Sequence, residues 1–487
     1  MVDYDIVVIG GSPAGLHTAL AATHLKARVA LVASPLFGSI WSESSYKYNK
    51  AFTHLGRVGH QMRSASSYGF YWQELETTAS STLGVQFGEA IKWAKGVVAA
   101  FDEQYSPAVL ASLGVDVIFG EGEFCRKPYF GFVVNEQILR SRSYLIATGS
   151  RPIIPEIEGL QTTGYFTPDT IWQQTDSNLP KRLIVIGGEP IGIELAQTFA
   201  RLGCRVTLVV SSSQILPKED PEAALLIQAE LEAEGIRVLT GHQVTQVKWI
   251  DDKKWIQAGD KAIECDEILV AVDQQPNVES LNLEGAGVKV DQHGIRVNQK
   301  LQTTNHRVYA CGDVLGGYRF ASVANYESQI ALKNMLFFPF FKVDYRHIPW
   351  AIFADPELAR VGLTEEQAKH RYGDDVLVLR RYFKTIDKAQ MQGETTGFCK
   401  ILVLGNGEIL GATLVGLQSS ELIQPIALAM ASRIKINAIA NMIPVFPSLS
   451  EINCLTAAEF GQIRLNQHSS RQNLLEGLFN LLRSWSS

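Results

Sequence analysis

The sequence contains few cysteines, no long apolar run and no strong excess of charge of either sign. None of its six cysteines forms a C-x-x-C pair, which argues against a disulfide framework and a zinc ribbon. No apolar stretch approaches the ~20 residues of a membrane span, and no secretory signal is visible at the start, so we expect a cytoplasmic protein. A net charge of −6 without long runs of one sign argues against nucleic-acid binding. The histidines show no metal-ligand spacing, and we predict no metal site.

The length and composition indicate a multidomain globular protein. A chain of 487 residues is too long for one hydrophobic core and predicts about two to four domains. The composition is 46% apolar and 19% charged, with 40 glycines, which is typical of an α/β protein.

An internal quasi-repeat is the strongest signal in the chain. The segment IVVIGGSPAG at residues 6–15 recurs as LIVIGGEPIG at residues 183–192, and RVALVAS at 28–34 recurs as RVTLVVS at 205–211. Each copy predicts a strand, a glycine-rich turn, a helix and a second strand. Such a βαβ unit binds a dinucleotide pyrophosphate at the N-terminus of its helix.

Both copies depart from the dinucleotide fingerprint at positions that contact the ligand. The middle glycine is Ser12 in the first copy and Glu189 in the second, and the acidic residue for the ribose is Ala33 or Val210. Ser12 is small and neutral, so it still lets a dinucleotide bind. Ser34 can hydrogen-bond a ribose hydroxyl in place of the missing acidic residue. A carboxylate ~4 Å from a pyrophosphate is repelled by roughly 4 kcal/mol at an effective dielectric near 20, about a thousandfold in affinity. We therefore expect the first copy to bind a dinucleotide and the second not to, unless Glu189 is hydrogen-bonded or turned outward.

Further motifs resemble the class I pyridine nucleotide-disulfide oxidoreductases, such as dihydrolipoamide dehydrogenase and mercuric reductase. ATGSRP at residues 147–152 is similar to the segment that leads from the FAD domain to the nicotinamide domain. YACGD at 309–313 resembles the second FAD motif, and FADPELARVGLTE at 353–365 resembles the opening of the dimer-interface domain. The resemblance covers about residues 4–460 and predicts an α/β fold.

The resemblance also implies which residues contact FAD. In the family, the aspartate of the second FAD motif meets the ribityl chain. The implied cofactor-binding residues are Gly10, Ser12, Pro13, Ala14, Gly15, Ser34, Lys50, Gly122, Thr148, Gly149, Asp313 and Ala321.

The redox cysteine pair of the family has no counterpart at its usual place. Residues 38–50, GSIWSESSYKYNK, keep the family's spacing from glycine to lysine, but Trp41 and Tyr46 stand at the cysteine positions. Disulfide exchange needs a thiolate that attacks a disulfide, so this alignment predicts that the activity is lost. The two aromatic residues either close a dry flavin face and conduct electrons, or fill space that the cysteines left. We expect Cys311, within the FAD motif, to be a small buried residue.

A charged pair beside the flavin is retained. Lys50 matches the family's lysine next to flavin N5, and Glu194 matches the glutamate that pairs with it. Such a lysine favours the anionic reduced flavin. The alternative is a structural ion pair that bridges two domains.

Two other family motifs are altered. The family's H-P-T-x-x-E, which the partner subunit contributes, is FPSLSE at 446–451, which keeps Glu451 and replaces the histidine by Phe446. The G-R-x-P-N motif that ends the nicotinamide domain is DQQPN at 273–277. Together with Glu189, these changes predict that NAD(P)H does not bind in the family's mode. Because Glu451 belongs to a motif that crosses subunits, we expect a two-fold homodimer.

The predicted architecture combines two Rossmann-like domains with a C-terminal α+β dimerisation domain. The boundaries are 1–152 and 280–345 for the FAD domain, 153–279 for a degenerate NAD(P)-binding domain, 346–460 for the dimer-interface domain, with a helix at about 420–432, and 461–487 for an amphipathic tail. Residues 336–341, LFFPFF, and the tail are apolar enough to contact a membrane or a partner, and we favour docking onto the protein's own dimer.

These observations predict an FAD-dependent oxidoreductase without disulfide reductase activity. Its electrons would pass to or from a protein donor, a quinone or a small acceptor. The predicted catalytic residues are Trp41, Tyr46, Lys50, Glu194 and Glu451. One alternative is an NAD(P)H-dependent quinone or dye reductase with atypical nucleotide contacts, and another is a non-catalytic flavoprotein that acts as a redox sensor or scaffold.

Overall fold

The computed structural model describes residues 2–34, 45–68, 85–173, 179–467 and 469–485. The chain divides into two compact units. Unit 1 comprises residues 1–216 and 231–343, and unit 2 comprises residues 217–230 and 344–487. The helices and strands confirm the predicted α/β class.

The first part of unit 1 begins with the first predicted βαβ unit. Its strands are β1 (Tyr4–Ile9), β2 (Val29–Ala33), β3 (Val115–Phe119), β4 (Gly122–Cys125), β5 (Gly131–Val134), β6 (Gln137–Leu139), β7 (Ser141–Ile146) and β8 (Ser150–Pro152). Its helices are α1 (Pro13–His24), α2 (Ser45–Ser64), α3 (Phe87–Gln104), α4 (Pro107–Ser112) and α5 (Leu160–Thr163).

The following stretch contains the second βαβ unit and returns to the first sheet. Its strands are β9 (Arg182–Ile186), β10 (Arg205–Val209), β11 (Arg237–Leu239), β12 (Val244–Ile250), β13 (Lys253–Ala258), β14 (Lys261–Cys265), β15 (Glu267–Val270), β16 (Gln274–Pro276) and β17 (Val308–Ala310). Its helices are α6 (Pro190–Leu202), α7 (Pro221–Ala233), α8 (Leu283–Ala286) and α9 (Ala321–Leu336).

Two parallel sheets organise unit 1. One has the strand order β17-β7-β1-β2-β3, and the other has the order β11-β10-β9-β15. In each sheet the first strand of a βαβ unit pairs in parallel with the second, β1 with β2 and β9 with β10. Parallel strands covered on both faces are buried throughout, which explains the continuous apolar runs that predicted them.

Three smaller sheets complete unit 1. The antiparallel sheet β4-β5-β6 is formed by the chain between β3 and β7 of the first parallel sheet. The antiparallel sheet β12-β13-β14 is formed by the chain between β11 and β15 of the second. The short strands β8 and β16 pair with each other, Gln274 opposite Pro152. These two strands tie together the stretches that lead into and out of the second βαβ unit.

Unit 2 is built on an antiparallel sheet of order β18-β19-β22-β21-β20. Its strands are β18 (Trp350–Ile352), β19 (Glu357–Gly362), β20 (Val376–Tyr382), β21 (Phe398–Leu404) and β22 (Ile409–Gly416). Its helices are α10 (Glu365–Tyr372), α11 (Asp387–Met391), α12 (Ser419–Leu422), α13 (Gln424–Ala431), α14 (Ile436–Ala440), α15 (Glu451–Gln467) and α16 (Ser469–Trp485).

The single helix predicted at about 420–432 is two short helices in the structure. Helix α12 ends at Leu422, and α13 begins at Gln424 with a proline in its first turn. Pro425 lacks a backbone N–H and its ring fixes φ, so it suits the start of a helix and not its interior.

A buried lysine holds the segment 217–230 within unit 2. The Lys400 ammonium lies 2.9 Å from Asp220, 2.8 Å from Glu222 and 3.0 Å from Glu365, and its side chain is 3% exposed. Desolvation lowers the pKa of Lys400, but the hydrogen bonds that its ammonium donates to the three carboxylates together outweigh this effect and raise the pKa. A buried cation is retained only with such partners, so these contacts anchor the start of α7.

The apolar segments singled out in the sequence are exposed in the described chain. Phe337, Phe338 and Phe340 follow α9 and are 60%, 71% and 75% exposed. On α16, Trp485 is 78% exposed, and Leu478, Leu481 and Leu482 are also exposed. No helix in the described ranges combines the length and apolar character needed to cross a bilayer.

Replacing Gly187 by alanine should destabilise the protein. Gly187 has a φ of +126°, and a Cβ there would overlap the Ala271 carbonyl. A non-glycine residue in such a conformation costs about 1–3 kcal/mol, and the overlap adds to this. As a control, Gly96→Ala on α3, where a Cβ meets nothing within 4 Å, should stabilise by about 0.5–1 kcal/mol. Urea unfolding of both variants measures the difference, and equal unfolding midpoints would contradict this account.

Candidate functional site

The first glycine turn leaves the N-terminus of α1 open. Gly10 has a φ of +110°, and a Cβ there would overlap the Ala147 carbonyl, while a Cβ on Gly15 would overlap the Gly10 carbonyl. Ser12 is the N-cap of α1, and its hydroxyl accepts a hydrogen bond from the Gly15 N–H at 3.3 Å. Pro13 and Ala14 form the first turn of the helix. The turn therefore presents backbone N–H groups at the positive end of a helix.

Residues at the ends of neighbouring strands surround this turn. Ser34 is buried directly after β2. Thr148, after β7, donates its hydroxyl hydrogen to the Asn277 carbonyl at 2.7 Å, and the Asn277 amide donates to the Thr148 carbonyl at 3.0 Å. Gly149 follows with a φ of +67°. Gly122, in contrast, lies within β4 and pairs with Val134.

Asp313 lies after β17, at the carboxyl edge of the same sheet. The Ser150 hydroxyl is 3.1 Å from its Oδ2. Desolvation raises the pKa of Asp313, and the hydrogen bond with Ser150 offsets only part of this effect. The preceding turn is fixed by Glu327, which accepts a hydrogen bond from the Gly312 N–H at 2.6 Å. Ala321 begins α9 a short distance along the chain.

These residues fit a dinucleotide cofactor such as FAD. The glycines hold the turn between β1 and α1, and the backbone N–H groups at the N-terminus of α1 are the groups that would bind a pyrophosphate. The desolvated Asp313 carboxylate offers acceptors for ligand hydroxyl groups, which matches the role that the resemblance implies for it.

The predicted ion pair of Lys50 and Glu194 is present. Lys50 Nζ lies 2.6 Å from Glu194 Oε2, and the side chains are 26% and 3% exposed. The Tyr46 ring lies one helical turn earlier on α2, with its centroid 5.6 Å from Lys50 Nζ. Desolvation raises the pKa of Tyr46, and the charge of Glu194 raises it further. The structure thus brings three of the five predicted catalytic residues together.

Close packing between α2 and α6 sets the geometry of this pair. A Cβ on Gly56 would stand 3.3 Å from Thr198 Cα, so the helix backbones nearly touch. Beside Lys50, the side-chain oxygen Oδ1 of the buried Asn49 accepts a hydrogen bond from Trp172 Nε1 at 2.6 Å. The Trp172 ring stacks on Phe52 with centroids 4.1 Å apart. Sequence reasoning did not identify Asn49 and Trp172, which are 123 residues apart and share no motif.

For the other two predicted catalytic residues, Trp41 and Glu451, a place beside this cluster stays a prediction. Trp41 lies outside the described residues, so its place beside the flavin stays a prediction. Glu451 begins α15 in unit 2 and accepts a hydrogen bond from the Ser448 N–H at 2.8 Å. Phe446, at the position of the family's histidine, is 67% exposed.

The second glycine turn keeps the backbone geometry of the first but carries different side chains. A Cβ on Gly187 or Gly192 would again overlap a backbone carbonyl. Glu189 is the N-cap of α6 and makes no capping hydrogen bond through its side chain. The Leu216 N–H donates to the Gly188 carbonyl at 2.9 Å, so the loop after β10 folds back to the turn.

Arg319 connects the altered residues of this turn and was missed in the sequence. Its guanidinium donates to the Asp273 carboxylate. Desolvation lowers the pKa of Arg319, and the nearby charge of Glu189 acts in the opposite direction. The only sequence feature that could have drawn attention to Arg319 is its position six residues after Asp313 of the second FAD motif.

All six cysteines are free in the structure. Burial raises the pKa of Cys204, Cys265 and Cys399 to about 12, and that of Cys311 well above its ordinary value. These side chains are thus buried thiols, as predicted for Cys311. Within the described ranges, no three His, Cys, Asp or Glu side chains form a group that could hold a metal ion.

Comparison with known families identifies the class of protein. Residues 4–328 match the family described as pyridine nucleotide-disulphide oxidoreductase, and residues 348–454 match the dimerisation domain of that family. The chain belongs to the pyridine nucleotide-disulphide oxidoreductase family, which binds FAD.

Individual relatives are similar over most of the chain. A mercuric reductase from Staphylococcus aureus is 32% identical over 464 residues, which cover 94% of this chain and 82% of the relative. A dihydrolipoyl dehydrogenase from Thermus scotoductus is 33% identical over 480 residues, covering 94% and 97%. These relatives are oxidoreductases.

Solved structures show the same fold. LpdA from Mycobacterium tuberculosis superposes with a TM-score of 0.84 at 26% identity, covering 93% of this chain and 99% of the other. The Cu(II) complex of the HOCl-induced flavoprotein disulfide reductase RclA from Escherichia coli gives a TM-score of 0.80 at 26% identity, covering 94% and 99%.

The buried thiols should be unreactive in the folded protein. Because thiolates react and a raised pKa lowers the thiolate fraction, Cys204, Cys265, Cys311 and Cys399 should not react with DTNB at about pH 8. Only Cys125, which is partly exposed, should react quickly. All six should react in denaturant, and rapid release of two or more native thiols would contradict this arrangement.

Removing the charge of Glu194 should destabilise the protein more than removing an exposed one. Glu194→Gln leaves the half-buried Lys50 without its closest carboxylate and should cost about 1–3 kcal/mol. The control is Glu89→Gln, because Glu89 pairs with Lys92 at 67% and 78% exposure and contributes below about 0.5 kcal/mol. Urea unfolding compares them, and equal losses would show that the Lys50–Glu194 pair has no special role in stability.

Proposed function

We propose that this protein is an FAD-dependent oxidoreductase that neither exchanges disulfides nor takes hydride from NAD(P)H in the family's mode. Its electrons pass between bound FAD and a non-disulfide partner, such as a protein donor, a quinone or a small acceptor. When bound, FAD supplies the electron-carrying group. The observation that carries the proposal is the position of Tyr46 beside Lys50 and Glu194.

Tyr46 supports the loss of disulfide chemistry because of where it stands. In our alignment it takes the place of a redox cysteine, and its ring lies 5.6 Å from the Lys50 ammonium. A phenol cannot form a mixed disulfide. Five of the six free thiols are buried and Cys125 is partly exposed, and none of the six stands at the family's cysteine positions.

The remaining charged pair supports flavin chemistry. Lys50 would place a positive charge where reduced flavin gains negative charge, and Glu194 holds the lysine in place through the 2.6 Å ion pair. The residues that would hold FAD are those of the first glycine turn together with Ser34, Thr148 and Asp313. Lys50 would thus favour electron uptake by the cofactor whatever the donor is.

The second βαβ unit supports a donor other than a pyridine nucleotide. Glu189 places a carboxylate at the N-terminus of α6, where a pyrophosphate would bind. Asp273 replaces the glycine of the family's G-R-x-P-N motif, and Gln274 its arginine. These substitutions therefore alter the residues that would contact a nucleotide and leave the fold of the second βαβ unit intact.

The assembly is proposed to be a homodimer, which the dimerisation-domain match supports. Glu451 and the exposed Phe446 would then reach the partner's flavin site. We retain residues 1–152 with 280–345 as the FAD domain, 153–279 as the degenerate nicotinamide domain, 346–460 as the interface domain and 461–487 as its tail.

The number of electrons taken up per flavin tests the proposal without knowledge of the donor. Anaerobic titration with dithionite should reduce the holoprotein fully with about one equivalent per FAD, because no dithiol shares the electrons. A family member with a redox-active disulfide, titrated in parallel, should need about two. NADPH added to oxidised holoprotein under the same anaerobic conditions should not bleach the flavin.

Two outcomes would contradict the proposal. Uptake of a second equivalent would show a hidden disulfide and would make the alignment of Trp41 and Tyr46 wrong. Rapid bleaching by micromolar NADH or NADPH would favour the alternative of a pyridine-nucleotide-dependent quinone or dye reductase.

A further inference from the structure

Three charged residues lie at one edge of the second parallel sheet. Glu189 lies in the turn after β9, and Asp273 lies three residues after β15, the neighbouring strand. Arg319 comes from the loop between Asp313 and α9 and donates to Asp273. We call these three residues the ion array. The glycine turn itself rests on the Ala271 carbonyl, two residues before Asp273, so the array lies at the mouth of the turn.

The charges of the array balance only in part. Arg319 contributes one positive charge, whereas Glu189 and Asp273 contribute two negative ones. The Arg319 side chain is 23% exposed, and its Nε is buried without a hydrogen-bond partner among the described residues. The guanidinium therefore has an unused donor at Nε, while its Nη1 already donates to the Asp273 carboxylate.

The geometry points to the ion array as the element that excludes pyridine dinucleotides from the second βαβ unit. In this array Arg319 is a phosphate ligand whose charge is neutralised by the carboxylates of Glu189 and Asp273. This inference rests on the proposed function and adds the specific residues responsible. A pyrophosphate entering the turn would face a net negative charge and would have to displace Asp273 from Arg319. Without the two carboxylates, Arg319 would present its fork of N–H groups beside a helix N-terminus, which suits a phosphate.

The test measures binding of NADPH to the holoprotein by quenching of nucleotide fluorescence, so that it does not depend on turnover. The double variant Glu189→Gly and Asp273→Gly should bind NADPH at least about tenfold more tightly than the parent chain. Adding Arg319→Leu to this variant should abolish the gain. A second double variant, Glu189→Gln and Asp273→Asn, removes the charges with little change in size and should gain part of the affinity.

A matched control removes two carboxylates from the opposite edge of the same sheet. Glu264 and Asp266 precede β15 and pair with Arg182 at 2.6 Å and 2.7 Å. The variant Glu264→Gln and Asp266→Asn therefore makes the same change in net charge far from the turn, and it should leave NADPH binding unchanged.

The outcomes separate this inference from the proposed function. If the parent chain binds NADPH tightly and its flavin is reduced, the proposed function fails. If the parent does not bind and both double variants, folded and flavin-loaded, also do not bind, the array is not the cause and the inference is overturned. Equal affinity with and without Arg319→Leu would overturn the assignment of Arg319 as a phosphate ligand.

Discussion

The ion pair between Lys50 and Glu194 connects the two halves of unit 1. Lys50 lies on α2, and Glu194 lies on α6, the helix that begins at the second glycine turn. The backbones of these helices almost touch at Gly56 and Thr198. The second βαβ unit therefore has a task that does not involve a nucleotide, since it supplies the buried carboxylate for the lysine. This explains why a unit with altered ligand contacts keeps its structure.

Local sequence was sufficient to predict both βαβ units. Each combines an apolar strand, a glycine turn and a proline that starts a helix, and all of these signals lie within about ten residues. The positions of Lys50 and Glu194 followed from the family resemblance. The break at Pro425 was also visible in the sequence, but the apolar pattern on both sides of it favoured one continuous helix.

The contacts that the sequence did not reveal join residues far apart in the chain. Trp172 reaches Asn49 across 123 positions, and Arg319 reaches Asp273 across 46. No periodicity or spacing rule links such pairs, because the fold alone determines that they meet. The same holds for Lys400, whose carboxylates on the segment 217–230 come from the stretch assigned to the nicotinamide domain.

The second glycine turn bears on how glycine fingerprints are interpreted. Gly187 and Gly192 are needed because the chain passes so close to its own carbonyl groups that no side chain fits. Folding alone demands them, with or without a ligand. A pattern search that weights these glycines therefore detects the crossing of a strand and a helix, whether or not the turn binds a ligand. The side chains between the glycines report what the turn can hold.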